Sequence, residues 1–150
     1  MQVERLSHWN EILASLPQVE QDVYFREEYV RLYETETEKA YCVVCREEGK
    51  VLLFPFLQRP FLFKGEVYYD FETAYGYGGP VSNCHDIDFL ENALRVLKTF
   101  CQESGFVAGF VRFHPLFQNQ KGFDTVGRVT EDRKTIAIDL NQTMDEVWKN

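Results

Sequence analysis

Residues 86–104 constrain this chain more than any other stretch. Ile87, Leu90, Leu94, Leu97 and Cys101 recur at helical spacing, and Phe89, Ala93, Val96 and Phe100 widen the stripe. Asp86 suits the amino-terminal cap and Gly105 the position just past the last turn. A helix with so broad an apolar face must cover a sheet, and the patterns on both sides of it are those of strands. Upstream, residues 40–46 and 51–57 flank a turn at 47–50, which is a hairpin signal, and 61–63 and 67–71 continue as strand-like pieces. Pro55 removes a ladder donor, so its strand must bulge there or carry it at an edge, and Pro60 is expected to end the run. Downstream, residues 106–113 read as a largely buried strand, and 124–130 and 134–140 as two more strands joined by a turn at 131–133. Near the amino terminus Ser7 can cap a helix to about Leu16, with Trp9, Ile12, Leu13 and Leu16 in one stripe. A second short helix fits residues 26–34, with Tyr29, Val30, Leu32 and Tyr33 supplying its apolar residues. The fold class expected is α/β: residues 1–150 as a single domain with a mixed, mostly antiparallel sheet and helices on its faces.

Charge narrows the partners. Sixteen Lys and Arg against 24 Asp and Glu give a formal net charge of −8, which argues against sequence-independent binding to nucleic acid. Nine of the acids lie between Gln18 and Glu48, against Arg26, Arg31, Lys39 and Arg46, and form a solvated acidic face. The last third is locally basic, with Arg112, Lys121, Arg128, Arg133 and Lys134 against Asp124, Glu131 and Asp132. No apolar run approaches the ~18 residues of a membrane span, and no secretory leader is visible, so the expected setting is cytoplasmic.

Four cysteines, Cys42, Cys45, Cys84 and Cys101, are expected as reduced thiols. Cys42 and Cys45 have the CxxC spacing of redox and zinc sites. They sit in a strand-like run, however, where residues three apart point to opposite faces, so a structural role is expected. A zinc ion would need two further ligands, and Cys84 and His85 are candidates only by elimination.

Two stretches could carry chemistry. From Phe54 to Tyr77 there are nine aromatics in 24 residues, against 15% in the whole chain, and the stretch ends in the glycine-punctuated loop Tyr75-Gly-Tyr-Gly-Gly-Pro80. Three glycines could let amides approach a phosphate. The next helix opens about six residues later, though, with Asp86 and Asp88 at its mouth, so the loop reads first as left-handed backbone that shapes a cleft, with direct contact of Tyr75 and Tyr77 to a polar or sugar-like ligand, or anion binding, as the alternatives. The second stretch is Arg112-Phe-His-Pro-Leu116, where a strand would end in a cation and an imidazole. The plainer reading pairs Arg112 with a local carboxylate such as Asp70 and makes His114 a satisfied turn residue. No nucleophile elbow and no HExxH accompany either stretch, so no catalytic triad is assigned.

These strings resemble a known family. Asp22-Val-Tyr-Phe25 with Tyr29, Leu53-Phe-Pro-Phe56, Tyr69-Asp70, the glycine loop, the Arg112 to Leu116 string and Ile138-Asp-Leu140 together resemble the amino-terminal half of FemAB-like acyltransferases, proteins of doubled GNAT fold. The resemblance implies a GNAT-like domain, a second GNAT-like half or a homodimer partner, and an acceptor cleft built by Tyr75, Tyr77, Arg112 and His114. It implies a glycan or cell-wall precursor as acceptor and an acyl-CoA or aminoacyl-tRNA as donor, handled mainly by the second half. The Q/R-x-x-G-x-G/A turn with which single-domain GNAT enzymes hold CoA is absent from the sequence. That leaves side chains such as Arg128, Arg133 and Lys134 for anions, and no cofactor-binding residue is assigned.

The function expected is that of an acceptor-side domain which transfers an acyl or aminoacyl group to an amine, with Asp70 and Asp139 as candidate proton acceptors. The alternative is a glycan- or partner-binding module of the same fold without chemistry of its own. The capping-box pattern Thr143-Met-Asp-Glu146 announces a short helix before Asn150, which suggests one half of a longer enzyme, with Trp148 packing against a second copy.

Overall fold

The hairpin signal of residues 40–57 becomes the centre of the sheet. In the computed structural model, which describes residues 1–136, 141 and 143–148, β2 (Lys39–Glu47) and β3 (Lys50–Phe63) pair antiparallel from Lys39↔Gln58 to Glu47↔Lys50. They close on a two-residue turn whose Glu48 and Gly49 take φ of 50° and 81°, the backbone that matches the twist of the flanking strands. β1 (Gln2–Leu6) pairs with the outer edge of β2, a strand not expected from its polar sequence. β4 (Glu66–Glu72) pairs antiparallel with the second half of β3, and the short β5 (Val81–Ser82) pairs with Leu52 and Leu53 of β3. β6 (Phe106–Phe110) runs parallel to β4, and the strand order is β1-β2-β3-β4-β6. The expected mixed, mostly antiparallel sheet is therefore present.

Alternation along the strands divides the interior in two. Cys42, Val44, Leu53 and Leu57 join one core with Trp9 and Leu13, from around α1 (Asn10–Ser15), and Val30, from α2 (Glu27–Arg31). Val43, Cys45, Leu52, Phe54 and Phe56 join the other, beneath α3 (Ile87–Glu103). Phe89, Leu90, Ala93, Leu94, Leu97 and Cys101 are the buried face of α3, as their spacing predicts, and each large apolar side chain so buried contributes about 1.5–3 kcal/mol. Asp86 caps this helix by accepting the N–H groups of Asp88 and Phe89, and Gly105 takes φ of +82° just beyond it.

Several expectations are corrected. Ser7 does not cap α1: Trp9 occupies that position without a side-chain bond, and the carboxylate of Glu27 accepts the N–H groups of Trp9 and Asn10 instead. Pro60 does not end its strand, because β3 runs on to Phe63 and turns at Lys64 and Gly65 into β4. Pro55 does sit where a missing donor costs nothing, since β3 is flanked on that side by β5 up to Leu53 and by β4 only from Leu57. Residues 124–130 form no strand, only a 3-10 turn at Phe123–Thr125, and 134–136 form none either, while 137–140 lie outside the described residues. The closing capping-box pattern becomes one helical turn, α4 (Met144–Val147). Among the described residues no helix is long and apolar enough to cross a membrane.

Candidate functional site

The glycine loop after β4 and the turn after β6 are built as one unit. Gly78 donates its N–H to the carbonyl of Arg112 at 2.7 Å and pairs with Phe113 in an isolated parallel bridge, so the two segments continue the β4/β6 pairing. Thr73 Oγ1 accepts the Arg112 N–H at 3.0 Å. Asn119 fastens the rest: its Oδ1 accepts the His114 N–H at 2.9 Å, and its Nδ2 donates to the carbonyls of Gly78 and Pro80 at 2.8 and 3.0 Å. Gly76 takes φ of +94°, and a Cβ there would stand 2.7 Å from Cε1 of Tyr24, so only glycine lets the loop ride over that ring.

The result is a tyrosine patch. Tyr24 meets Tyr29 at 5.0 Å and Tyr77 at 5.4 Å between ring centroids, both edge to face. Tyr33 meets Tyr29 at 5.6 Å and Tyr75 at 6.5 Å. The Tyr29 hydroxyl donates to the carbonyl of Tyr75 at 2.9 Å and lies 3.4 Å from that of Tyr33; burial first, then this second phenol, push its pKa well above the usual phenol range. The Tyr75 ring itself is 72% exposed.

His114 anchors the patch from below. It is 4% exposed, its ring stacks on Phe117 at 3.9 Å, and Tyr77 and Tyr24 close over it at 5.5 and 5.9 Å. Nδ1 accepts the Leu116 N–H at 3.3 Å, which leaves the proton on Nε2, 3.6 Å from Oδ2 of Asp22. Burial lowers its pKa, and the neighbouring Asp22 carboxylate offsets this only in part. With both ring nitrogens engaged, His114 holds the turn rather than offering a free base.

The four residues expected to share the cleft do not form one cluster. Tyr75, Tyr77 and His114 belong to the patch. Arg112 stands at the base of the loop on the other side, with Nη1 3.4 Å from the carbonyl of Thr73 and 3.7 Å from Oε2 of Glu72, and its guanidinium 4.7 Å from the Phe110 ring centre. It pairs with Glu72, not with Asp70. Asp70 is held by Arg59 in a two-toothed pair at 2.8 and 2.9 Å, and Asp139 lies outside the described residues. Of the cations considered for anions, Arg133 bonds Asp132 at 2.6 Å. Tyr29 and Tyr33, expected among the apolar residues of the second helix, stand four apart, a spacing that brings their two rings together. Asn119 carried no signal in the sequence, because its partners come from two distant loops.

Among the described residues no group of side chains is set to hold a metal ion, and the start of α3 is closed to a phosphate. The first free amides of α3 are taken by its own Asp86, at 2.9 and 3.3 Å, so a pyrophosphate there would meet carboxylate instead of open N–H groups. Cys42 and Cys45 lie in the two separate cores, and burial raises both thiol pKa values, that of Cys45 to about 12. Cys84 is only partly buried, and His85 pairs with Glu20 at 3.3 Å. A cavity of about 370 Å³ lies elsewhere, between α3, β6 and residues 126–130, with a lining dominated by apolar side chains such as Phe54, Leu97 and Phe106.

No family model matches the sequence, and no curated protein matches it. Among solved structures the chain is similar to a ribosomal-protein-alanine N-acetyltransferase from Brucella melitensis biovar Abortus 2308, with 9% identity over 91% of this chain and 98% of that one, and a TM-score of 0.48.

Proposed function

We propose that this chain is the acceptor-side domain of an acyltransferase of the doubled GNAT, FemAB-like type, and that it presents an amine of a cell-wall or polysaccharide precursor to a donor held by another unit. The observation that carries this reading is the tyrosine patch over His114, built from residues 24–33 and the glycine loop and seated on the turn after β6. A cluster of phenol rings with one exposed member, Tyr75, suits a sugar ring, and aromatic faces attract an ammonium group before it is deprotonated. The acidic stretch from Gln18 to Glu48, which supplies three of these tyrosines and Asp22, favours a cationic ligand over an anionic one. The α3 end closed by Asp86 supports a donor bound outside this domain. Catalysis would then be chiefly positioning, with Asp70 or Asp139 the carboxylates to test for taking the amine proton.

Calorimetric titration tests the reading. An amine-bearing glycan precursor is expected to bind, with Tyr75→Ala or Tyr77→Ala weakening it roughly tenfold, the equivalent of one lost ring contact at about 1.4 kcal/mol. Binding of acyl-CoA by this chain without binding of precursor would overturn it.

A non-catalytic binding module is favoured by one specific observation: Asp70 is already engaged by Arg59, and His114 uses both ring nitrogens. Precursor that binds but is never acylated, whatever donor and second domain are supplied, would select this alternative.

A further inference from the structure

The cavity of about 370 Å³ belongs neither to the tyrosine patch nor to the joint that builds it. Alternation along β3 and β4 sends Phe54 and Phe71 to the α3 side of the sheet, and the apolar stripe of α3 sends Leu97 to meet them. Toward the carboxyl-terminal half of α3 the third wall is residues 126–130, an irregular stretch that leaves a space between helix and sheet. Rigid contacts hold that space open. Phe54 meets Phe71 at 5.7 Å and Phe123 at 6.3 Å between ring centroids, both edge to face. Lys98 Nζ reaches from α3 to donate to the carbonyl of Val126 at 3.1 Å, and the N–H groups of Val126 and Gly127 both donate to the Phe123 carbonyl at 2.9 Å. An apolar void of about 150 Å³ already takes up benzene, and pockets for small ligands begin at about 300 Å³, so this one has room for a longer apolar group.

Charge selects what the other end of that group must be. Lys98 and Arg128 are the charged side chains among those lining the cavity, and no carboxylate lines it; Asp124 and Glu131, near in sequence, stand outside the lining. Lys98 bonds a carbonyl, and Arg128 is exposed with no carboxylate paired to it among the described residues. In a chain of net charge −8, a cavity whose charged walls are both cationic draws an anion rather than a cation. A guanidinium at the mouth matches a carboxylate, which it can hold with two parallel hydrogen bonds.

We propose that this cavity is a binding site for a fatty carboxylate of medium chain length, with the alkyl chain against Phe54, Leu97 and Phe106 and the carboxylate at Arg128, beside Lys98. The cavity shares no residue with the tyrosine patch and does not include Asp70, so the inference is independent of the acyl-transfer reading. Calorimetric titration of the full chain with decanoate, kept below its micelle concentration, is expected to show one site per chain. Decanol and decyltrimethylammonium should bind roughly tenfold more weakly or less well still, because neither offers the carboxylate that the two cations attract. Arg128→Glu should weaken decanoate by roughly tenfold or more and leave the urea midpoint unchanged, since the side chain is exposed. Leu97→Phe, which fills part of the space, should weaken decanoate as well, and Val126→Phe gives the same comparison if that variant fails to fold. Arg46→Gln, on β2 and outside the cavity, should bind decanoate as the unaltered chain does. Absence of decanoate binding overturns the proposal, and so does binding that ignores the head group or is indifferent to Arg128→Glu and to the filled cavity.

Discussion

Glu27 caps a helix to which it does not belong. Its carboxylate accepts the N–H groups of Trp9 and Asn10, and Asn10 Oδ1 accepts the N–H of Glu27 at 3.0 Å, so the starts of α1 and α2 are tied to each other. Burial pushes the Glu27 pKa up, but the amide hydrogen bonds and His8 outweigh it, and the net shift is downward. Its contribution is therefore complete above the ordinary carboxylate pKa and is lost as pH falls through the lowered value. Glu27→Ala is expected to cost about 1–2 kcal/mol in urea unfolding at pH 7, and less at pH 3. The cysteines give a second test at this scale. Burial holds Cys42 well above the usual thiol range, Cys45 at about 12 and Cys101 at about 11. In the native protein at pH 8, iodoacetamide should modify the half-buried Cys84 first, and early modification of Cys42 or Cys45 would reopen the redox and metal readings. Period-two alternation had already separated Cys42 from Cys45 in the sequence, whereas the distant cap could not be seen there, because 17 residues and two turns intervene.

At the scale of elements, α3 was legible almost to its ends, since its stripe, its Asp86 cap and Gly105 all act within a few residues of one another. The glycine loop was legible as a loop but not as half of a joint. Asn119 makes that joint, and Asn119→Ala removes three bonds between the two segments. A loss of about 2–4 kcal/mol is expected, together with a weaker near-ultraviolet signal from the tyrosines, and an unchanged spectrum would show that the two loops hold without it. β6 depends in the same way on a glycine. A Cβ on Gly109 would stand 2.1 Å from Cζ of the Phe71 ring, so Gly109→Ala should force that ring out of its core site and lower the thermal midpoint, at a cost of about 1–3 kcal/mol. Residues 124–130, expected as a strand, take no place in the sheet. Alternation supplies a compatible face, but pairing needs a partner edge, and the sequence does not say which edge is free.

Two buried groups should make the stability of the whole molecule depend on pH in opposite senses. Glu20 is buried against His85, and burial raises its pKa more than the imidazole lowers it. Its ionised form is disfavoured in the folded state, so stability falls as pH rises from the ordinary carboxylate value through the raised one, and Glu20→Gln should be the more stable protein at pH 7 but not at pH 4. His114 works in the opposite sense. Its lowered pKa leaves stability intact above the ordinary imidazole value and erodes it as pH falls below, so His114→Asn should flatten the acid side of a plot of thermal midpoint against pH. Both groups sit where distant segments meet, and the same distinction separates what each level of description decided about this protein. The sequence alone determined the α/β class, the α3 cover, the central hairpin and the opposed cysteines, because periodicity, capping and turn chemistry act over a few residues. Only the tertiary structure decided that Tyr24, Tyr29, Tyr33, Tyr75 and Tyr77 make one patch over His114 and that Arg112 and Asp70 have different partners. Those outcomes depend on which strands become neighbours, and neighbours are chosen by the packing of the whole chain rather than by any stretch of it.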